Sequence, residues 1–115
     1  MIYQQNQNGA VTVSANVYSE IAGVAAANCF GVKGMVARSV KDGLYHLLRK
    51  ESMSKGVRVE VHDDNTVTID VHIMVDSGVN MNAVGNSIIS EVRYMVQKQT
   101  DTDVRNVNVF IDSIA

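Results

Sequence analysis

Cys29, the only cysteine, and the three histidines His46, His62 and His72 are the side chains best suited by type to act as nucleophile, base or metal ligand. A thiol attacks only as the thiolate, beside a group that lowers its pKa. Cys29 instead lies at or beside the end of an alanine-rich helix, where a small buried hydrophobe is the simpler role. A zinc ion needs three or four ligands gathered around one point. His62 and His72 should share one face of a two-stranded ribbon, but a turn at residues 63–65 leaves them roughly six residues apart, about 20 Å at strand rise. His46 falls on the polar arc of a predicted helix. Among the carboxylates, Asp63 and Asp64 carry turn chemistry together with Asn65, and Asp70 should face Arg58 across the ribbon. There is no phosphate-binding loop, no nucleophile elbow and no Cys-X-X-Cys pair. These residues predict no catalytic site, no metal and no cofactor.

The charges are less evenly spread. Residues 31–58 hold Lys33, Arg38, Lys41, Arg49, Lys50, Lys55 and Arg58 against Asp42 and Glu51, a net of +5 that leaves −7 for the rest of the chain. The same stretch opens with Gly31-Val32-Lys33-Gly34. Placed between two helices and followed by a β-ribbon and a third helix, this Gly-X-X-Gly resembles a type I KH domain. There, a helix–loop–helix clamps a nucleic-acid backbone. The loop amides and Lys33 would meet phosphates, and Arg38, Lys41, Tyr45 and Arg49 share one flank of the helix that follows. The candidate patch for an anion, nucleic acid or partner is therefore Gly31, Lys33, Gly34, Arg38, Lys41, Tyr45 and Arg49. The plainer reading of the same residues is a tight helix–helix turn beside a solvated basic face.

The elements that must position these groups follow from periodicity. Residues 1–8 are polar and lack a period, which predicts a frayed tail ahead of one domain over residues 9–115. A short strand over residues 10–13 leads into a helix capped by Ser14 or Asn16. Its apolar face is Val17, Ile21, Val24 and Ala25, and Gly31 ends it. Val36, Val40, Leu44, Leu47 and Leu48 recur at helical spacing and predict a second helix, weakened at Gly43. Val57, Val59 and Val61 then alternate with Arg58, Glu60 and His62. After the Asp63-Asp64-Asn65 turn, Val67, Ile69, Val71, Ile73 and Val75 alternate in the same way, which is a strong signature of half-buried strands.

A three-residue turn sets Arg58 opposite Asp70 and Val59 opposite Ile69, with Asn65 in the left-handed position. Asn80 caps a third helix whose buried face reads Met81, Val84, Ile88, Val92 and Met95. Val107, Val109 and Ile111 close the chain as a strand. The predicted class is α+β, a two-layer sandwich in the order β-α-α-β-β-α-β. Its helices cover one face of a small, mainly antiparallel sheet, in an arrangement that could be KH-like.

Composition sets the outer bounds. The chain has 115 residues, 46% hydrophobic and 19% charged, with a net charge of −2. That is a globular composition for one modest domain. No apolar run approaches the roughly 18 residues of a membrane-spanning helix, and no secretory leader pattern is present. A single cysteine excludes an internal disulfide framework, which fits a reducing cytoplasm.

Several segments in order resemble the alkaline-shock-protein family, the envelope stress response proteins of Gram-positive bacteria. They are Gly31-Val32 with Met35 close behind, Ser54-Lys55-Gly56-Val57, Val67 to Ile73, Gly78-Val79-Asn80, and Val107 to Ile111. Ser77 and Ser113 depart from the family pattern, where an aromatic and a glycine are expected. The resemblance implies a cytoplasmic, non-enzymatic protein tied to envelope or alkaline-stress homeostasis. It also implies self-association and a membrane-anchored protein partner that would hold the chain at the inner face of the membrane. Nucleic acid is a partner only under the KH-like alternative.

Overall fold

A computed structural model describes residues 2–4, 11–13, 15–38, 45–48 and 54–114. The elements are β1 (Ile2–Gln4), β2 (Val11–Val13), α1 (Ala15–Ala27), β3 (Val32–Arg38), β4 (Tyr45–Leu47), β5 (Val57–Val61), β6 (Val67–Val75), α2 (Met81–Thr100) and β7 (Val104–Ile114). The class is α+β, as the alternating strands and the helical stripes require.

β6 organises the sheet. Its side chains alternate strictly between buried and half-buried over nine residues. β7 runs parallel to it from Val67↔Val104 to Val75↔Ile114. A parallel neighbour needs a long crossover, and α2 supplies it. The other edge of β6 is shared. β5 pairs antiparallel with residues 67–71, and β3 pairs antiparallel with residues 73–75. β4 extends the sheet beyond β3, antiparallel, with Val36 opposite Leu47. β1 and β2 form a separate antiparallel pair.

The turn and register of the β5–β6 ribbon follow the sequence reading. Arg58 stands opposite Asp70 and Val59 opposite Ile69. Asn65 has φ 67°, the left-handed conformation a short polar side chain tolerates. The His62 amide donates to the Thr66 carbonyl at 2.9 Å, closing the three-residue loop.

Both helices lie on the face that carries Val67, Ile69, Val71, Ile73 and Val75. On α2, Asn80 caps the N-terminus by accepting from the Ala83 amide at 3.0 Å. Val84, Ile88, Val92 and Val96 are buried, while Met81 is exposed. On α1 the buried side differs from the predicted one: Tyr18, Ala22, Ala25 and Ala26 face inward, and Val17 and Val24 are exposed. α1 is apolar nearly all round, so its largest hydrophobes do not report its inner face. Alanines allow it to sit close to its neighbours, and the buried Tyr18 hydroxyl bonds Thr102 Oγ1 at 2.7 Å, joining α1 to the α2–β7 connection.

The second predicted helix is not formed in the described residues. Val32–Arg38 and Tyr45–Leu47 are strands instead, so the order β-α-α-β-β-α-β is corrected to β-β-α-β-β-β-β-α-β. The reason lies in β6. Its nine residues outrun the five of β5, which leaves the backbone groups of residues 73–75 open on that edge. Buried amides and carbonyls must be paired, and β3 pairs them. Met35 and Val36 are adjacent and both fully buried, which erases the alternation that would have marked a strand. Val40 and Leu44, the middle of the predicted helical stripe, lie outside the described residues. At the N-terminus, Ile2–Gln4 are strand where a frayed tail was predicted. Their partner is Val11–Val13, a β-branched segment of the kind that favours strands.

Candidate functional site

Among the described residues, five members of the predicted basic patch lie in the α1–β3 turn or on strands. Gly31 sits in the α1–β3 turn at φ +84°, and a Cβ there would lie 2.8 Å from Val84 Cγ2. Its carbonyl accepts from the Asp76 amide at 3.0 Å. Gly31 is therefore a packing point between α1, α2 and the end of β6. Lys33 is exposed on β3. Gly34 lies at an irregularity of the β3–β6 ladder, close under Leu47. Arg38 and Tyr45 are backbone partners on paired strands, not successive turns of one helix flank. Lys41 and Arg49 lie outside the described residues. The Gly-X-X-Gly thus enters a strand rather than bridging two helices, and the helix–loop–helix clamp is not the geometry of this segment.

His62, His72 and several carboxylates make hydrogen bonds between neighbouring strands and turns of the sheet. His62 Nε2 bonds Thr68 Oγ1 at 2.6 Å. Asn108 Nδ2 donates to Asp70 Oδ1 at 2.9 Å, so Asp70 finds an amide on β7 in place of an ion pair with Arg58. His72 Nδ1 meets Asp112 Oδ2 at 2.7 Å, and its ring stacks on Phe110 with centroids 4.8 Å apart. Asp64 accepts from Thr66 and from Arg105, whose Nη2 is 2.9 Å away. The Thr66 hydroxyl first, then Arg105 and the Thr66 amide, lower its pKa to about 2. Burial pushes the Cys29 thiol up, partly offset by a hydrogen bond with Ser87, and Glu91 adds to the rise. A raised thiol pKa disfavours the thiolate a nucleophile needs. Among the described residues, no group of three or more His, Cys, Asp or Glu is gathered as a metal would require.

Concave surfaces among the described residues include a pocket of about 240 Å³ beside Cys29, Ser87 and Glu91. A cleft of about 280 Å³ lies between α1 and α2, floored by Ile21, Ala25 and Met95 and rimmed by Glu20 and Glu91. A wider groove of about 500 Å³ runs between α2 and β7, with Met81, Asn82, Gly85, Asn86 and Ile89 on one wall and residues 107–111 on the other. Sequence reading missed this groove. The alternation of Val107, Val109 and Ile111 was visible, but which edge of the sheet the strand would occupy was not. Phe30, at the tip of the α1–β3 turn, is 85% exposed.

The alkaline shock protein 23 family, described as having cell envelope-related function, matches residues 3–115. The chain belongs to this family. The resemblance read from the sequence is thereby shown. Among its relatives, YloU of Bacillus subtilis is 33% identical over 107 residues, covering 92% of this chain and 88% of YloU. Spy1614 of Streptococcus pyogenes serotype M6 is 32% identical over 109 residues, covering 94% of this chain and 89% of the relative. A Streptococcus pyogenes stress response regulator, a gls24 homologue, is 33% identical over 109 residues, but the match spans 59% of that longer protein. No solved structure matches the chain. Among the described residues, no helix of this family member is long and apolar enough to cross a membrane.

Proposed function

We propose that this alkaline-shock-family chain is a non-catalytic interaction and assembly module that serves cell-envelope or alkaline-stress homeostasis at the cytoplasmic side of the membrane, through a membrane-anchored protein partner. The observation that carries the reading is the groove beside β7. It joins a sheet edge, which can accept another strand, to walls of mixed apolar and asparagine side chains that can receive that strand's side chains. The titratable groups offer little for a competing catalytic reading. Two pairs, His72–Asp112 and Arg105–Asp64, join separate strands or turns of the sheet.

The test pairs two measurements. In its native host, the intact chain should co-fractionate with the envelope and cross-link there to a protein partner. The purified chain should bind single-stranded RNA no tighter than the nonspecific range of about 10⁻⁴–10⁻⁶ M at physiological salt. A sub-micromolar, sequence-dependent RNA affinity that Lys33→Glu weakens would overturn the assembly reading. So would a chain that never associates with the envelope under alkaline stress.

A further inference from the structure

We infer that the cleft between α1 and α2 is a receptor site for a basic amphipathic helix of another protein. The inference rests on the interaction reading and adds to it a second surface and the chemistry of the partner.

Val17, Ile21 and Val24 recur at helical spacing on α1, yet Tyr18 and the alanines are what face the core. Val17 is left 41% exposed and Val24 48% exposed. Ile21 and Val24 open onto the cleft of about 280 Å³, across which stands Met95 of α2. The pocket beside Cys29 shares Ala25, Asn28 and Glu91 with this cleft, and the exposed Phe30 lines it. The apolar surface therefore runs from α1 through the cleft to the α1–β3 turn. A continuous apolar surface with a polar rim marks an interaction site.

The rim selects the occupant. Glu20 on α1 and Glu91 on α2 stand on the two walls, and both are exposed. Neither has an ion pair among the described residues. α1 contains no lysine or arginine, and the α2 lysine, Lys98, lies over the Tyr94 ring. Surfaces that settle on anionic membranes are rich in Lys and Arg around their apolar face, so this acidic rim disfavours a membrane. A second copy of the chain does not supply the complement either. Glu20 is the sole charge of α1, and α2 spends Val84, Ile88, Val92 and Val96 on its own core.

A helix with an apolar face flanked by Lys or Arg satisfies both floor and rim. A groove between helices takes such a segment through anchors at i, i+3 or i+4, and i+7. The stripe from Val17 to Val24 is about 10 Å long at 1.5 Å per residue, which matches two turns of an incoming helix. Cations beside its anchors meet Glu20 on one side and Glu91 on the other. Rim charges of this kind set partner choice and association rate more than total affinity.

A model peptide tests this on the full chain. The probe is a peptide of about 18 residues, long enough to be helical, with leucines on one face and lysines on the other. Its counterpart carries glutamate in place of lysine. Titrated into the isotope-labelled chain, the lysine peptide should shift the amides of residues 17–30 and 91–99 and leave the β5–β6 turn unmoved. Its affinity should fall with salt. Glu20→Lys combined with Glu91→Lys changes only exposed positions. The double variant should bind the lysine peptide about tenfold or more weakly and prefer the glutamate peptide. Val24→Asp, also at an exposed position, should weaken both. Phosphatidylglycerol vesicles should leave the cleft amides unmoved. The inference is overturned by a lysine peptide that does not bind, that shifts amides elsewhere, or that binds the double variant as well as the wild type. Vesicles that shift the cleft amides overturn it as well. Envelope co-fractionation, scored separately, decides the wider reading. If the wild type reaches the envelope while the peptide leaves the cleft untouched, only the inference falls. If the cleft takes the peptide but the chain never reaches the envelope, the inference stands and the wider reading falls.

Discussion

Two antiparallel ribbons meet on one edge of β6, and they bury their side chains in different ways. In the β5–β6 ribbon every second residue of β6 is fully buried, and its neighbours are half-open on the outer face. In the β3–β4 ribbon, Met35 and Val36 are consecutive and both fully buried. As neighbours on one strand they point to opposite faces: Met35 joins the core cluster, and Val36, opposite Leu47 on β4, is buried as well. The first ribbon contains the central strand β6, with helices on one face and half-open side chains on the other. The second closes the end of the sheet, where the Leu48 amide also donates to the Met35 carbonyl at 2.7 Å. The difference teaches that alternation reports a strand with one wet face. A strand enclosed on both faces loses that mark and reads as any apolar run.

The largest expected effects test whether the two ribbons are equally part of the core. Val71→Asp and Met35→Asp each bury an unpaired charge, which costs several kcal/mol against a typical total stability of about 5–15 kcal/mol. Both variants should lose the cooperative thermal transition seen by circular dichroism. A Met35→Asp chain that melts like the parent would break the comparison, because β3 would then not be enclosed.

The two glycines of the Gly-X-X-Gly should separate next. Gly31→Ala places a Cβ in the left-handed region and 2.8 Å from Val84 Cγ2, so it should cost at least about 1–2 kcal/mol. Gly34→Ala has no such backbone strain and meets only the end of Leu47 at 3.0 Å. It should cost less, under about 1 kcal/mol, because a flexible leucine methyl can give way. Equal losses in urea unfolding would mean that the β3 position is more rigid than the turn.

Asn80→Ala removes the α2 cap, a local interaction in the half of the molecule whose pattern is clearest. It should cost about 1 kcal/mol in the same assay, and an unchanged midpoint would show that the cap is dispensable.

The smallest effect belongs to Asp64 at the β5–β6 turn. Its folded pKa of about 2 is below the ordinary 3.8, chiefly through the Thr66 hydroxyl and then Arg105. A depressed carboxyl stabilises the fold above its unfolded pKa, and that contribution fades as pH falls from 3.8 toward 2. Arg105→Ala should raise the Asp64 titration midpoint in an NMR experiment yet leave it below the ordinary value, because the Thr66 bonds remain. A midpoint that does not move would mean that Arg105 contributes nothing to this turn.

Much of the architecture is legible in the chain because local chemistry dictates it. Alternating valines and isoleucines specify β5, β6 and β7. Asp63-Asp64-Asn65 specifies the turn that sets their register, since slipping by one residue would turn every apolar side chain to solvent. Asn80 announces the start of α2. The ordered segments from Gly31 to Ile111 mark the family. Tertiary structure alone decided the rest. Whether residues 32–38 coil or extend depended on the stretch of β6 that β5 leaves unpaired, a fact of relative strand length that no local period carries. The inward face of α1 depended on how closely its alanines could approach the neighbouring helix and strands, because a helix apolar on nearly all sides has no preferred stripe of its own. The candidate site depended on both. Lys33, Gly34 and Arg38 took strand positions once residues 32–38 extended, and the groove beside β7 arose only when the crossover of α2 placed the last strand at the sheet's edge.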